Sequence, residues 1–161
     1  MSGKILDLNE LAKRSAELRE NGCRLVLTNG CFDLLHVGHV RYLSSARALG
    51  DALAVGINGD ESVGTLKGAN RPINNERDRA EVLAALEAVD FVTVFREARA
   101  TRVIEAIRPA IYVKGGDYTP ETLNAEERDA LDRVGSEIQI IPFQPGYSTS
   151  RLIKRLSVSS S

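Results

Sequence analysis

The sequence predicts an α/β fold of three layers, a Rossmann-like arrangement with a five-stranded parallel sheet between two sets of helices. Three observations predict it. Short apolar runs alternate with stretches whose apolar residues recur at helical spacing. Gly- and polar-rich segments follow the first, second, fourth and fifth of these runs, which is where such a sheet binds ligands. The chain has 161 residues, the size of one domain with a proper core. A single domain is expected over residues 1–156, with a disordered tail over 157–161.

Each element has a local reason. Asp7-Leu8-Asn9-Glu10 has capping-box spacing, and Leu8, Leu11, Ala12, Ser15 and Leu18 continue as a helical stripe to Gly22. Strand one is expected over Arg24–Thr28, and Val40, Leu43, Ala46 and Leu49 mark a helix that stops at Gly50. Ala52–Ile57 is a second buried strand, ending at Asn58-Gly59-Asp60. Residues 61–73, rich in Gly and Asn, are expected to be irregular. Asn75 can cap a helix through Val82, Leu83 and Leu86, and strand three is Phe91–Phe95. A helix over Ala100–Ile107 ends before Pro109, because the residue preceding proline avoids helical geometry. Strand four is Ile111–Val113, a polar helix runs from about Pro120 to Val134, and strand five is Ile138–Ile141. Ser148 opens the last helix, through Leu152, Ile153 and Leu156.

Composition narrows the function. There are 21 basic and 22 acidic residues, a formal charge of -1, so no global field recruits nucleic acid or an acidic membrane. An anionic substrate must be held by locally placed Lys and Arg. Two cysteines, Cys23 and Cys31, are too few for a disulfide framework. No apolar run has the length of a signal segment or membrane span. A cytoplasmic enzyme domain is the expectation.

The densest chemistry lies between strand one and its helix, in Thr28-Asn29-Gly30-Cys31-Phe32-Asp33-Leu34-Leu35-His36-Val37-Gly38-His39. Gly30 lets the backbone turn its N–H groups toward a ligand. A helix starting near Val37 aims free N–H groups and the positive end of its dipole at the same place, which suits a phosphate. His36 and His39, the only 2 histidines, are three apart and can share one face. This pairing of Gly-x-Phe-Asp with His-x-Gly-His resembles the signature of the nucleotidyltransferase superfamily. Its members move a nucleotidyl group from a nucleoside triphosphate to a phosphate-bearing acceptor.

The chemistry of such a transfer fits these residues. An acceptor phosphate oxygen attacks the α-phosphorus and pyrophosphate leaves. A phosphate monoester has a second pKa of about 6, so the nucleophile is already ionised and needs no general base. Catalysis is then positioning and charge neutralisation. The resemblance implies that His36 and His39 contact the triphosphate, and that Asn29, Gly30, Cys31, Phe32 and Gly38 pass beside the nucleotide. Lys67 resembles the family's mobile lysine, so the expected catalytic set is His36, His39 and Lys67. Arg79 matches a family arginine on the nucleotide side. Ser148-Thr149-Ser150 resembles the second signature, a hydroxyl-bearing helix start ready for an anion. Lys114 joins the nucleotide side, and Gly115-Gly116 after a strand suggests a close backbone approach. The sugar-phosphate side is expected at Asp33, Asn58, Asp60, Gly116, Asp117 and Tyr118. For Asp33 three roles stand open: orienting the loop, helping to hold Mg²⁺, or an Asx-type bond to the next turn.

Within the superfamily, Leu27–Asp33, Leu66-Lys67-Gly68 with Arg71–Asn74, Glu87–Asp90, Val113–Thr122 and Gly146–Thr149 resemble the heptose-1-phosphate adenylyltransferases. That family joins ATP, with Mg²⁺, to D-glycero-β-D-manno-heptose 1-phosphate, giving ADP-heptose for lipopolysaccharide core or related glycans. The activity is often fused behind a sugar kinase; this chain resembles a stand-alone form. Glycerol-3-phosphate cytidylyltransferases share the fold but carry an arginine and acidic stretch before the Ser/Thr run to read cytosine. Gln144-Pro145-Gly146-Tyr147 stands there instead, which favours adenine. Arg151 departs from the family's usual Asn. A nucleotide-sensing domain without turnover is the non-enzyme alternative. Relatives of this kind are often dimers, so a homodimer is among the partners the resemblance implies.

Overall fold

A computed structural model describes residues 3–116, 118–142 and 145–158. Its strands are β1 (Leu25–Gly30), β2 (Ala52–Asn58), β3 (Phe91–Phe95), β4 (Ile111–Gly115) and β5 (Glu137–Ile141), all parallel, in the order β3-β2-β1-β4-β5. The helices are α1 (Leu8–Glu20), α2 (Val37–Arg47), α3 (Asp60–Lys67), α4 (Glu76–Ala84), α5 (Thr101–Ile107), α6 (Ala125–Val134) and α7 (Thr149–Val158).

The strand order explains the layers. The chain steps outward from β1 through β2 to β3, then crosses back to β4 and β5. Right-handed crossovers in opposite directions put their helices on opposite faces. On one face α2 and α4 pack Leu43, Ala46, Ala80 and Leu83 against Val26, Leu53, Val55 and Val113. On the other, α1, α5 and α6 pack Leu11, Val103, Ile104, Ile107 and Leu131 against Leu25, Leu27, Ala54 and Tyr112. Alternation along each strand supplies both faces: Leu25 and Leu27 one way, Val26 the other. The reversal between β1 and β4 opens a crevice beyond the strands' C-terminal ends.

The strands and most helices lie where the sequence places them, including the reciprocal Asp7–Glu10 cap of α1 and the Asn75 cap of α4. Strands β1 and β4 each run two residues further than expected, to Gly30 and Gly115, and three helices differ. Residues 61–67, expected to be irregular, belong to α3, which begins at Asp60. Asp60 and Glu61 complement its N-terminal dipole, Val63 buries itself, and Gly68 at φ 111 ends it. Helix α6 starts at Ala125 rather than near Pro120. A turn in which Thr119 and Thr122 exchange hydrogen bonds precedes it, and Asn124 caps it by accepting from the Glu126 and Glu127 N–H groups. Helix α7 continues through Ser157 and Val158, two residues into the expected tail, with Ser157 Oγ donating to Ile153 O. Among the described residues no helix is long and apolar enough to cross a membrane.

Candidate active site

A cavity of about 870 Å³ occupies the crevice. It brings together the β1–α2 turn (Asn29, Gly30, Cys31, Phe32, Asp33, His36, Gly38, His39), Asn58 after β2, Lys67 of α3, Lys114 and Tyr118 around β4, and Ser148, Thr149 and Ser150 of α7. Segments from four separate strand ends thus meet on one rim, as the Gly- and polar-rich stretches predict.

The β1–α2 turn is built by close approach. Phe32 adopts φ 47 and buries its ring, and a Cβ on Gly30 would sit 3.0 Å from that ring. At Gly38 a Cβ would meet the His36 ring at 2.8 Å and Tyr147 Cβ at 2.9 Å. Both glycines therefore make room for aromatic neighbours, and the left-handed residue of the turn is Phe32.

The two histidines cap the helix they begin. His36 Nδ1 accepts from the Gly38 N–H at 3.1 Å, and His39 Nδ1 accepts from the His36 N–H at 3.3 Å. A neutral imidazole has one donor and one acceptor nitrogen. With Nδ1 accepting in each ring, the proton is assigned to Nε2. Burial lowers the pKa of His36, and burial followed by the nearby His36 charge pushes His39 down to about 4. The rings lie 4.0 Å apart, a contact two imidazolium ions would resist. The pair offers two N–H donors at neutral pH without carrying charge.

Three side chains fix the surroundings. Asp33 is buried, its carboxylate accepting from Arg71 Nε at 2.7 Å, Ile73 N at 2.8 Å and Asn74 N at 2.9 Å. Burial raises its pKa, but these donors outweigh burial and hold the carboxyl below its usual range. Of the roles open to Asp33, the structure gives it loop-tying: it clamps the segment that follows Lys67. Its oxygens are engaged by these donors, and the residue lines the cavity. Arg79 departs from expectation. It is 2% exposed, does not line the cavity, and donates to Asn74 O, Cys31 O, Asn58 O and Asp60 Oδ1, each at 2.8 or 2.9 Å. It is a strut beneath the cavity floor, and Asp60, its ion partner, is likewise off the cavity. Tyr112 OH donates to Asn29 Oδ1, which leaves the Asn29 NH₂ without a protein acceptor among the described residues.

Gly116 follows β4 at φ 81 but does not line the cavity, and Asp117 lies outside the described residues. Lys67 is exposed at the end of α3, on the cavity rim, with no carboxylate partner among the described residues. Lys114 sits 5.2 Å from the centre of the Tyr118 ring; burial lowers its pKa, with Glu127 opposing. Thr149 Oγ1 donates to Leu34 O at 3.0 Å, and Ser148 Oγ accepts from the Arg151 N–H at 3.1 Å. Among the described residues no three His, Cys, Asp or Glu side chains gather to hold a metal. Sequence reasoning missed Arg41, Tyr42, Arg99, Asn124 and Glu127 in the lining. Tyr42 stands one turn after His39, a spacing that could have revealed it; Glu127 is hidden in a charged run.

Known proteins share this build. Residues 27–155 match the family model described as cytidylyltransferase-like. The chain is 48% identical over 157 residues to the bifunctional protein HldE of Geotalea uraniireducens, covering 98% of this chain and 32% of that one. It is 51% identical over 146 residues to the bifunctional protein HldE of a Bradyrhizobium species, covering 91% and 29%. The chain thus spans about a third of the length of these curated relatives. Among solved structures, the lipopolysaccharide core biosynthesis protein of Thermoplasma volcanium superposes with a TM-score of 0.61 at 27% identity, covering 76% of this chain and 98% of that one. A pantoate-β-alanine ligase of Francisella tularensis gives the same TM-score, 0.61, at 13% identity, covering 92% and 69%, a likeness of fold alone. The match over most of the chain, with the His-capped helix start at the centre of the cavity, shows that the chain is a nucleotidyltransferase belonging to the cytidylyltransferase-like family.

Proposed function

We propose that the chain transfers AMP from ATP, taken up as its Mg²⁺ complex, to D-glycero-β-D-manno-heptose 1-phosphate, giving ADP-heptose and pyrophosphate. An oxygen of the acceptor phosphate forms a bond to the α-phosphorus, and the bond from that phosphorus to the bridging oxygen breaks. The electron pair leaves on pyrophosphate. The observation that carries this reading is the pair of neutral imidazoles whose Nδ1 atoms are occupied as helix caps. Their Nε2–H groups are donors placed for phosphate oxygens on which charge develops. Lys67, on the rim, closes over the β- and γ-phosphates. Ser148, Thr149 and Ser150 offer hydroxyls and helix N–H groups, and Asn29 through Phe32 supply the floor. Asn58 and Tyr118 face the acceptor. Mg²⁺ arriving with the ATP would supply charge neutralisation, while Lys67 and the His36 and His39 N–H groups serve the phosphates from the protein side.

Adenine is favoured because Gln144-Pro145-Gly146-Tyr147, where the cytidylyltransferases carry the cytosine-reading arginine, has none; Tyr147 stacks against His36 with ring centroids 6.3 Å apart. The likeness to the lipopolysaccharide core biosynthesis protein of Thermoplasma volcanium supports the heptose branch. The proposed setting is the cytoplasm, with small molecules as partners, no nucleic acid and no membrane, and a homodimer tested by sedimentation. The deciding experiment is a pyrophosphate-release screen with ATP or CTP against heptose 1-phosphate and glycerol 3-phosphate. Release with ATP and the heptose phosphate is expected. Release only with CTP and glycerol 3-phosphate assigns the cytidylyltransferase reaction, and ATP binding without any release assigns a sensor.

A further inference from the structure

One wall of the cavity contains a group that nothing in nucleotide binding requires. Glu127, on the first turn of α6, is 5% exposed and borders a cavity otherwise suited to anions. Its Oε1 accepts from the Ala100 N–H at 2.9 Å. Its Oε2 takes no hydrogen bond, and the carboxylate no ion pair, among the described residues. The sealed side-chain atoms without partners are Thr93 Oγ1, Thr101 Oγ1 and Ser136 Oγ, so Oε2 opens onto the cavity. If holding Ala100 were its whole task, a neutral amide would do it without the penalty of desolvating a charge.

Its neighbours indicate the missing ligand. Lys114 and Arg99 line the same wall, and Lys114 interacts electrostatically with Glu127, Cys31 and Arg99. Lys114, expected on the nucleotide side, is thus also a neighbour of Glu127. Two cations suit a phosphate monoester. A carboxylate beside them suits only a molecule that also presents hydrogen-bond donors, and hydroxyls next to a phosphate meet both demands.

We propose that Glu127 is a specificity-determining residue: Oε2 accepts hydroxyl hydrogen bonds from the acceptor while Lys114 and Arg99 hold its phosphate. The substrate class is a polyhydroxylated phosphate monoester, and a bare phosphate is disfavoured by the same carboxylate. This rests on the proposed transfer to a sugar phosphate and names the residue that reads the sugar.

The test uses Glu127→Gln, which keeps an oxygen for Ala100 and turns the cavity-facing acceptor into a donor. Wild type and variant, saturated with a non-hydrolysable ATP analogue and Mg²⁺, are titrated with heptose 1-phosphate and, separately, with methyl phosphate. Unchanged melting within about 2 °C shows that the structural bond is intact. The variant is expected to bind the sugar phosphate about tenfold more weakly or worse, the worth of a charge-assisted hydrogen bond, and methyl phosphate equally or more tightly. Arg99→Ala, at an exposed position, is expected to weaken both ligands alike and keeps the test open if Glu127→Gln unfolds. Unchanged sugar-phosphate affinity in Glu127→Gln, equal loss of both ligands there, selective loss of the sugar in Arg99→Ala, or a wild type without preference for the sugar phosphate each overturns the assignment. Pyrophosphate release is read separately. A wild type that binds the sugar phosphate but releases none ends the transfer reading, and the titration still decides Glu127.

Discussion

Two helices present their N-termini to the same cavity and are held there in opposite ways. Helix α2 buries Leu43 and Ala46 against the sheet, and its first turn is closed by His36 and His39 acting as caps. Beneath it, Arg79 ties Cys31 of the turn to Asn58, Asn74 and Asp60. Helix α7 has no buried residue, and Thr149 Oγ1 donates a hydrogen bond to Leu34 O of the turn. The α2 side is thus set before any ligand arrives, which is what transition-state stabilisation needs. The α7 side is a wall that a nucleotide can draw in, which costs some binding energy on closure. Under the proposed transfer, this difference gives rate to α2 and affinity to α7.

The comparison breaks most severely at Arg79. Arg79→Met fills the volume but leaves three carbonyls and the Asp60 carboxylate without their donor. A loss of about 3–5 kcal/mol is expected, the range for breaking a buried charge network. Chemical denaturation measures it, and a loss below about 1 kcal/mol would mean that the strut is dispensable. Next comes His39→Ala. Removing one positioned donor should lower kcat by about 10²–10³, with a stability loss of about 1 kcal/mol for the missing cap. Single-turnover kinetics and a melt separate the two, and near-wild-type turnover would remove α2 from the chemistry.

What was legible follows from whether the signal is local. The apolar run of β1, the spacing of His36 and His39 and the cap at Asp7 are each written within a few residues, and each holds. Helix α3 was not legible, because Gly64 and Gly68 mask the burial of Val63, which only the sheet reveals. Arg79 reads as a surface arginine or a ligand contact, since three of its four partners, Cys31, Asn58 and Asp60, come from two distant segments. Asp33 has the same character: its carboxylate is spoken for by residues about forty positions away. Motifs thus showed which residues matter, while long-range contacts decide whether each touches substrate or supports one that does.

On the α7 side the effect should be smaller and of a different kind. Thr149→Val keeps the shape and removes the bond to Leu34 O, about 1 kcal/mol in a solvent-accessible position. KM for ATP is expected to rise about five- to tenfold with kcat within twofold, since only the approach of the wall is altered. Initial rates over a range of ATP concentrations decide it; a fall in kcat with KM unchanged would make α7 part of the preset machinery.

The mildest test uses protons. His39 titrates near 4 in the fold and near 6.5 when unfolded, so the unfolded chain binds more protons between those values. Stability therefore rises with pH across that window, is fully present above about 6.5, and is lost as pH falls toward 4. The slope from one such group cannot exceed about 1.4 kcal/mol per pH unit, and partial exposure of His39 brings it lower. In His39→Ala this contribution to the slope should vanish, while Thr149→Val should keep it. Activity should behave differently. The acid limb of kcat/KM is expected near pH 6, where the acceptor phosphate takes its second proton, well above the histidine. An acid limb that stays fixed when the acceptor is exchanged for a phosphonate of higher pKa would place a titrating enzyme group in the reaction, and the uncharged donors of α2 would be the first to be reconsidered.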